Sequence, residues 1–163
     1  MRVPDLDPRF GNNFIDANFF DCTGGPEDAA VDTILRLHDE SAFTLLFPYS
    51  VKAEIEHPNT PADVKHRAAQ FLYTNKVELT SSEWLTHDKI RALIRGNAQP
   101  GQHDKDAFHL VESQKYGGRF FITKDGRLLK KAADIWAMLR PLRVVKPSEF
   151  LAAYSTHAET RPL

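Results

Sequence analysis

The stretch HDKDAFHLVESQKYGGRFFITKD, from His103 to Asp125, decides the fold. Its first half reads as a helix from about Asp104 to Tyr116. Ala107, Leu110 and Val111 recur at helical spacing. Asp104 and Asp106 fall in the first turn, where carboxylates complement the positive end of the helix dipole. Gly117-Gly118 stops that helix. The run Phe120 to Thr123 is then continuously apolar, as expected of a strand covered on both faces. Asp125 follows at the mouth of that strand, where it can also cap the next helix.

The same grammar extends in both directions. Residues 1–11 read as an irregular lead-in broken by Pro4, Pro8 and Gly11. Asn13 to Asp16 is a short buried strand. TGGPED is a turn, and Pro26 opens a helix to about Glu40, striped by Ala30, Val31, Ile34, Leu35 and Leu37. Phe43 to Phe47 is a compact strand. Pro48 and Ser50 open a helix that Pro58 stops. Pro61 opens another, through about Tyr73. Val77 to Leu79 is a weak strand. Ser81 or Ser82 caps a helix through Trp84, Ile90, Leu93 and Ile94, ending near Gly96 to Gly101. Downstream of Asp125, a helix from Gly126 to about Leu139, a strand Arg143 to Val145 and a last helix from Pro147 complete the alternation. This predicts a three-layer α/β/α sandwich with a central, mainly parallel sheet. Residues 1–155 read as a single domain, and 156–163 as a flexible tail.

Bulk properties narrow the function classes. The chain has 163 residues, with 42% apolar and 26% charged, ordinary values for a globular domain. Its net charge of −1 supplies no global field for nucleic acid, so any such binding must be local. The single Cys22 rules out an internal disulfide and a cysteine-rich zinc site. The charged N-terminus has no signal-like apolar core, and no apolar run reaches the ~20 residues of a membrane span, so a cytoplasmic location is expected.

Four acids stand out by position. Asp16 and Asp125 end strands; Glu54 and Asp106 lie near helix starts. In a parallel α/β fold, strand ends and the loops beyond them share one rim, where ligand sites form. Carboxylates gathered there repel one another unless a cation lies between them, and hard divalent ions take oxygen ligands. Each acid alone has an ordinary reading as a cap, turn or boundary residue. Glu54 is preferred to Glu56 because it sits on the shoulder of the Val51–Ile55 stripe, whereas Glu56 points further out. Asp104 reads as the helix N-cap. Asn18 lies two residues after Asp16 and points to the same side. His103 and His109 could bind metal, but lone histidines without spaced partners are usually structural or exposed.

In order and context these residues resemble the PIN domain family. That family carries an aspartate after the first strand with Asn or Ser two residues on, as in Asp16-Ala17-Asn18. It carries a glutamate early in a helix after the second strand, as at Glu54. It has a late helix opened by Asp-Ala, as at Asp106-Ala107, and a T-x-D after the next strand, as at Thr123-Lys124-Asp125. The resemblance spans roughly Phe14 to Tyr154. Gly126-Arg127 departs from it, since many members carry a further acid or asparagine there. It implies a ribonuclease using Mg²⁺ or Mn²⁺, with Asp16, Glu54, Asp106 and Asp125 catalytic and Asp16, Asp106 and Asp125 holding the metal. Many small members are toxins of VapBC-type toxin–antitoxin pairs, which implies an antitoxin protein and a homodimer as partners beside RNA. Substrate contacts are expected from Asn18, Thr123, Lys124, Arg127 and Lys131, with Lys52, Arg91, Arg95, Lys105, Lys130 and Tyr49 as weaker candidates.

Rival readings lack their marks. A haloacid-dehalogenase-type phosphatase wants an aspartate where Asn18 stands. A receiver domain wants an aspartate after the strand ending at Phe47. No dinucleotide-binding glycine pattern or P-loop is present. The remaining alternative is a non-catalytic PIN-like module that binds RNA or protein.

Overall fold

The computed structural model describes residues 7–97 and 104–160. Expectations for residues 1–6, 98–103 and 161–163, including His103, lie outside the described residues; the helix expected to end near Gly96 to Gly101 ends at Arg95, with Gly96 as its C-cap. Five strands are described: β1 (Asn12–Ile15), β2 (Thr44–Phe47), β3 (Leu72–Tyr73), β4 (Gly118–Ile122) and β5 (Arg143–Val145). They form one sheet in the order β3-β2-β1-β4-β5, every pairing parallel. The helices are α1 (Pro26–Asp39), α2 (Lys52–Ile55), α3 (Ala62–Ala68), α4 (Ser81–Arg95), α5 (Asp104–Lys115), α6 (Gly126–Lys130), α7 (Ala132–Leu139) and α8 (Pro147–Thr160).

Alternation along the strands makes the layers. Successive side chains of a strand point to opposite faces. Phe14 and Phe121 therefore join Ile90, Leu110, Val111 and Ile135 under α4, α5 and α7. Ile15, Phe120 and Ile122 face the other way, onto Val31, Ile34, Phe47 and Phe150 beneath α1 and α8. Both faces are covered, which is why the central strands are unbroken apolar runs. The result is the expected α/β/α sandwich. Buried Asn13 spans a gap in this apolar packing by donating its amide to the carbonyls of Pro8 (2.9 Å) and Thr44 (3.0 Å).

Five local expectations change. No strand forms at Val77–Leu79; the fifth strand is Leu72–Tyr73, paired with Leu46–Phe47. The helix expected to reach Tyr73 ends at Ala68, because Phe71 turns into the core and Thr74 N–H donates to the Phe47 carbonyl, which needs extended chain. The helix expected from Gly126 to Leu139 breaks at Lys131, whose φ of −104° and ψ of 10° leave the helical region. The cap of α4 is Thr80 rather than Ser81 or Ser82; its side chain accepts from Glu83 N–H while Glu83 accepts from Thr80 N–H, a reciprocal capping box. At the C-terminus, α8 continues past Ser155 to Thr160.

Gly117 and Gly118 do different work. Gly117 takes φ +74°, which ends α5. Gly118 starts β4 in a space with no room for a side chain: a Cβ there would lie 2.6 Å from the Ser113 carbonyl oxygen and 2.9 Å from the Phe14 ring. Gly118→Ala must push β4 away from α5, and we expect a loss of about 1–3 kcal/mol in urea unfolding. Gly126→Ala, where a Cβ meets nothing within 4 Å, is the control and should leave the midpoint near wild type.

Candidate functional site

The parallel sheet sends every strand to the same rim, and two adjacent strands deliver most of the site. β1 pairs with β4 up to Ile15 and Ile122, and Asp16 N–H then donates to the Ile122 carbonyl (3.2 Å). Thr123 N–H continues the ladder onto Val145 (3.0 Å). Asp16 and the Thr123–Asp125 turn are thus fixed side by side by backbone pairing. The chain beyond Asp16 enters a short 3₁₀ turn, Ala17–Phe20, and Asp16 Oδ1 caps it by accepting from Ala17 N–H (2.8 Å).

Thr123 and Asn18 order this corner. The Thr123 hydroxyl lies 3.3 Å from Asp16 Oδ2 and 3.2 Å from Asn18 Oδ1, and it accepts from Asp125 N–H (3.0 Å). Asn18 Oδ1 also accepts from Lys124 N–H (3.1 Å). Asp125 Oδ1 caps α6 through Arg127 N–H (2.9 Å). Asp16, Asn18 and Asp125 are held by one connected set of hydrogen bonds before any ligand is considered.

The other side comes from α2 and α5. As the helical stripe predicts, Val51 and Ile55 are buried, Glu54 sits on the boundary and Glu56 is exposed. Glu54 Oε1 lies 2.8 Å from Nε2 of His109, and His109 Nδ1 lies 2.6 Å from Ser50 Oγ. Asp106 sits one turn before His109 on α5. Asp16, Glu54, Asp106 and Asp125 all line a single cleft of about 420 Å³, with Asn18 on its wall and Lys105 and His57 also bordering it.

Within the cleft the tightest grouping differs from the expected one. The ligand atoms of Asp16, Glu54 and His109 lie within 4.8 Å of one another, so these three could hold a metal ion. The sequence reading put Asp106 and Asp125 beside Asp16; it weighed His109 as a ligand but ranked it structural or exposed. The overlooked signal is spacing: His109 is three residues after Asp106 and so shares its helix face.

The expected cationic contacts are dispersed. Lys124, 7% exposed in its side chain, does not line the cleft; it lies 3.0 Å from Asp28 Oδ1 and also donates to the carbonyl of Asp21, which borders the cleft. Thr123 is fully buried, so its hydroxyl orders side chains rather than reaching outward. Arg127 is exposed and Lys131 sits at the break between α6 and α7; neither lines the cleft.

The electrostatics are strained in a way that a cation would relieve. Asp16 is only 4% exposed. Burial pushes its carboxyl up to about 7; the nearby carboxylates of Glu54 and Asp106 add to this, and His109 opposes it. Burial alone would push His109 down, but its bond to Glu54 and the charges of Asp16, Glu54 and Asp106 hold it above its ordinary value.

Both groups bind protons more tightly in the folded chain. Their contribution to stability is therefore present at low pH and lost as pH rises through the folded values. For Asp16 it is complete below 3.8 and lost by about 7. The carboxylates held low elsewhere, Asp7, Asp28 and Glu83, titrate below this range and are flat above pH 5. In metal-free buffer, melting temperature should fall between pH 5.5 and 8. Asp16→Asn should be more stable than wild type by about 1–3 kcal/mol at pH 8, with the gap narrower at pH 5.5. Differential scanning fluorimetry at both pH values checks the sign.

Comparison of the chain with family models, curated proteins and solved structures returned no match.

Proposed function

We propose that this chain is a divalent-metal-dependent ribonuclease of the PIN kind, hydrolysing phosphodiester bonds in RNA with Mg²⁺ or Mn²⁺. The observation that carries this reading is the convergence of Asp16, Glu54, Asp106 and Asp125 on one cleft. They come from positions 38 or more residues apart, except for the pair Asp106 and Asp125 (54 − 16 = 38). Carboxylate oxygens suit a hard divalent ion, and the buried Asp16, held near neutrality by its surroundings, is the kind of group that such an ion would release.

A divalent ion in the cleft would supply charge stabilisation for a phosphate and acidify a water. The rest falls to the chain. Asp16, Asp106 and Asp125, with Glu54 beside them, would hold the ion. Thr123 and Asn18 keep Asp16 and Asp125 in register. Lys105 offers a cation at the border of the cleft, where the strand of RNA would carry its flanking phosphates. A role as the toxin of a toxin–antitoxin pair, with a protein inhibitor and a homodimeric state, rests on the resemblance to small PIN domains.

The direct test is cleavage of total RNA by purified protein. Wild type with Mn²⁺ or Mg²⁺ should degrade RNA, and EDTA should stop it. Asp106→Asn should lower the rate by more than about 100-fold, because several kcal/mol of transition-state stabilisation would be lost, while circular dichroism stays unchanged. Intact RNA with folded, Mn²⁺-supplied wild type would favour the binding-module alternative. Growth arrest on overexpression, relieved by a neighbouring gene product, would support the toxin role separately.

A further inference from the structure

His109 does not line the cleft; it lies behind Glu54, which does, and is bound on both sides. It lies on α5, 1% exposed, and faces the segment that runs from Ser50 through Glu54. Its Nε2 meets Glu54 Oε1 at 2.8 Å and its Nδ1 meets Ser50 Oγ at 2.6 Å. One turn further along α5, Glu112 Oε1 accepts from Ser50 N–H (2.8 Å) and lies 3.0 Å from Ser50 Oγ. Glu112 is fully buried and its Oε2 has no hydrogen-bond partner, so it grips Ser50 at an energetic loss. Helix α5 therefore grips the Ser50–Glu54 segment at two points.

Proton bookkeeping sets the role of the ring. The Ser50 hydroxyl has one proton. It can give this proton to Glu112 and accept from Nδ1, or give it to Nδ1. In either arrangement Nε2 faces a carboxylate oxygen at 2.8 Å and must carry a proton, since two lone pairs at that distance repel. A nitrogen that carries a proton is not a metal ligand. Binding an ion there would cost both that proton and the contact that aims Glu54, and the hard ions suited to this cleft favour the oxygens already present. Glu54 needs such a guide: it stands on a helix of four residues, and its side chain is 28% exposed.

We infer that His109 is a positioning residue, whose Nε2–H aims the Glu54 carboxylate into the cleft, with Ser50 and Glu112 fixing the ring, and that it is not itself a metal ligand. This rests on the reading of the cleft as a divalent-metal site. A fixed outer donor of this kind commonly changes metal affinity by 10–100-fold when removed.

Two measurements on the full chain test it. In metal-free ¹⁵N-labelled protein, ring correlation spectra should show a slowly exchanging Nε2–H for His109, assigned by its absence in His109→Gln and lost in Glu54→Ala. An unprotonated Nε2, or a signal indifferent to Glu54→Ala, would overturn the inference. With Mn²⁺ bound, electron spin-echo modulation should show no directly coordinated nitrogen; a coordinated nitrogen absent from His109→Gln would overturn it. His109→Leu should bind Mn²⁺ about 10–100-fold more weakly, and His109→Gln, which keeps a donor toward Glu54, should restore most of that loss. Equal affinity in wild type and folded His109→Leu would also overturn it. If wild type binds no Mn²⁺, the metal reading of the cleft fails, and the ring spectra alone decide the contact with Glu54.

Discussion

The register between β1 and β4 is the constraint on which the rest depends. Pairing Ile15 with Ile122 places Asp16 beside Thr123, and the next backbone bond, Asp16 N–H to the Ile122 carbonyl, locks that placement. A slip of one residue would turn Phe14 and Ile15 to the wrong faces and break both halves of the core. The site is therefore insured by the core: the apolar packing that selects the register also selects which polar atoms meet at the rim. Gly118 belongs to the same device, because β4 can approach α5 and Phe14 only where it carries no side chain.

The cleft works against the fold that builds it. A buried Asp16 amid other carboxylates is unfavourable when ionised, and the raised affinity of Asp16 and His109 for protons measures that conflict. Around Asp16 the described residues answer with hydrogen bonds, while Lys105 borders the cleft. Thr123, Asn18 and the backbone of the 3₁₀ turn hold Asp16; His109 faces Glu54. Lys124, adjacent to Asp125 in the chain, is committed to Asp28, joining the loop after β4 to the start of α1. That leaves the cleft itself acidic.

Much of this was legible in the chain. Continuous apolar runs gave the strands around Phe14, Leu45 and Phe121, and helical stripes gave α1, α4 and α5. The four acids were legible because strand ends and helix starts of a parallel sheet share a rim. The misread parts depended on tertiary contacts. Leu72–Tyr73 is too short for any periodicity to mark, and it is a strand only because Leu46–Phe47 lies alongside. The pairing of Lys124 with Asp28 was not foreseen, because nothing in the local sequence announces that partner. His109 looked isolated for the same reason: Glu54 and Ser50, 55 and 59 residues away, meet it only after folding.

The outermost strands carry a further consequence. β3 spans two residues and β5 three, so each margin of the sheet offers few free amides and carbonyls to an incoming chain. Leu72, 74% exposed on β3, would otherwise be a sticky position. Brevity at both borders denies a foreign strand enough ladder to zip onto, and so guards a phenylalanine-rich, aggregation-capable interior against growth into fibrils.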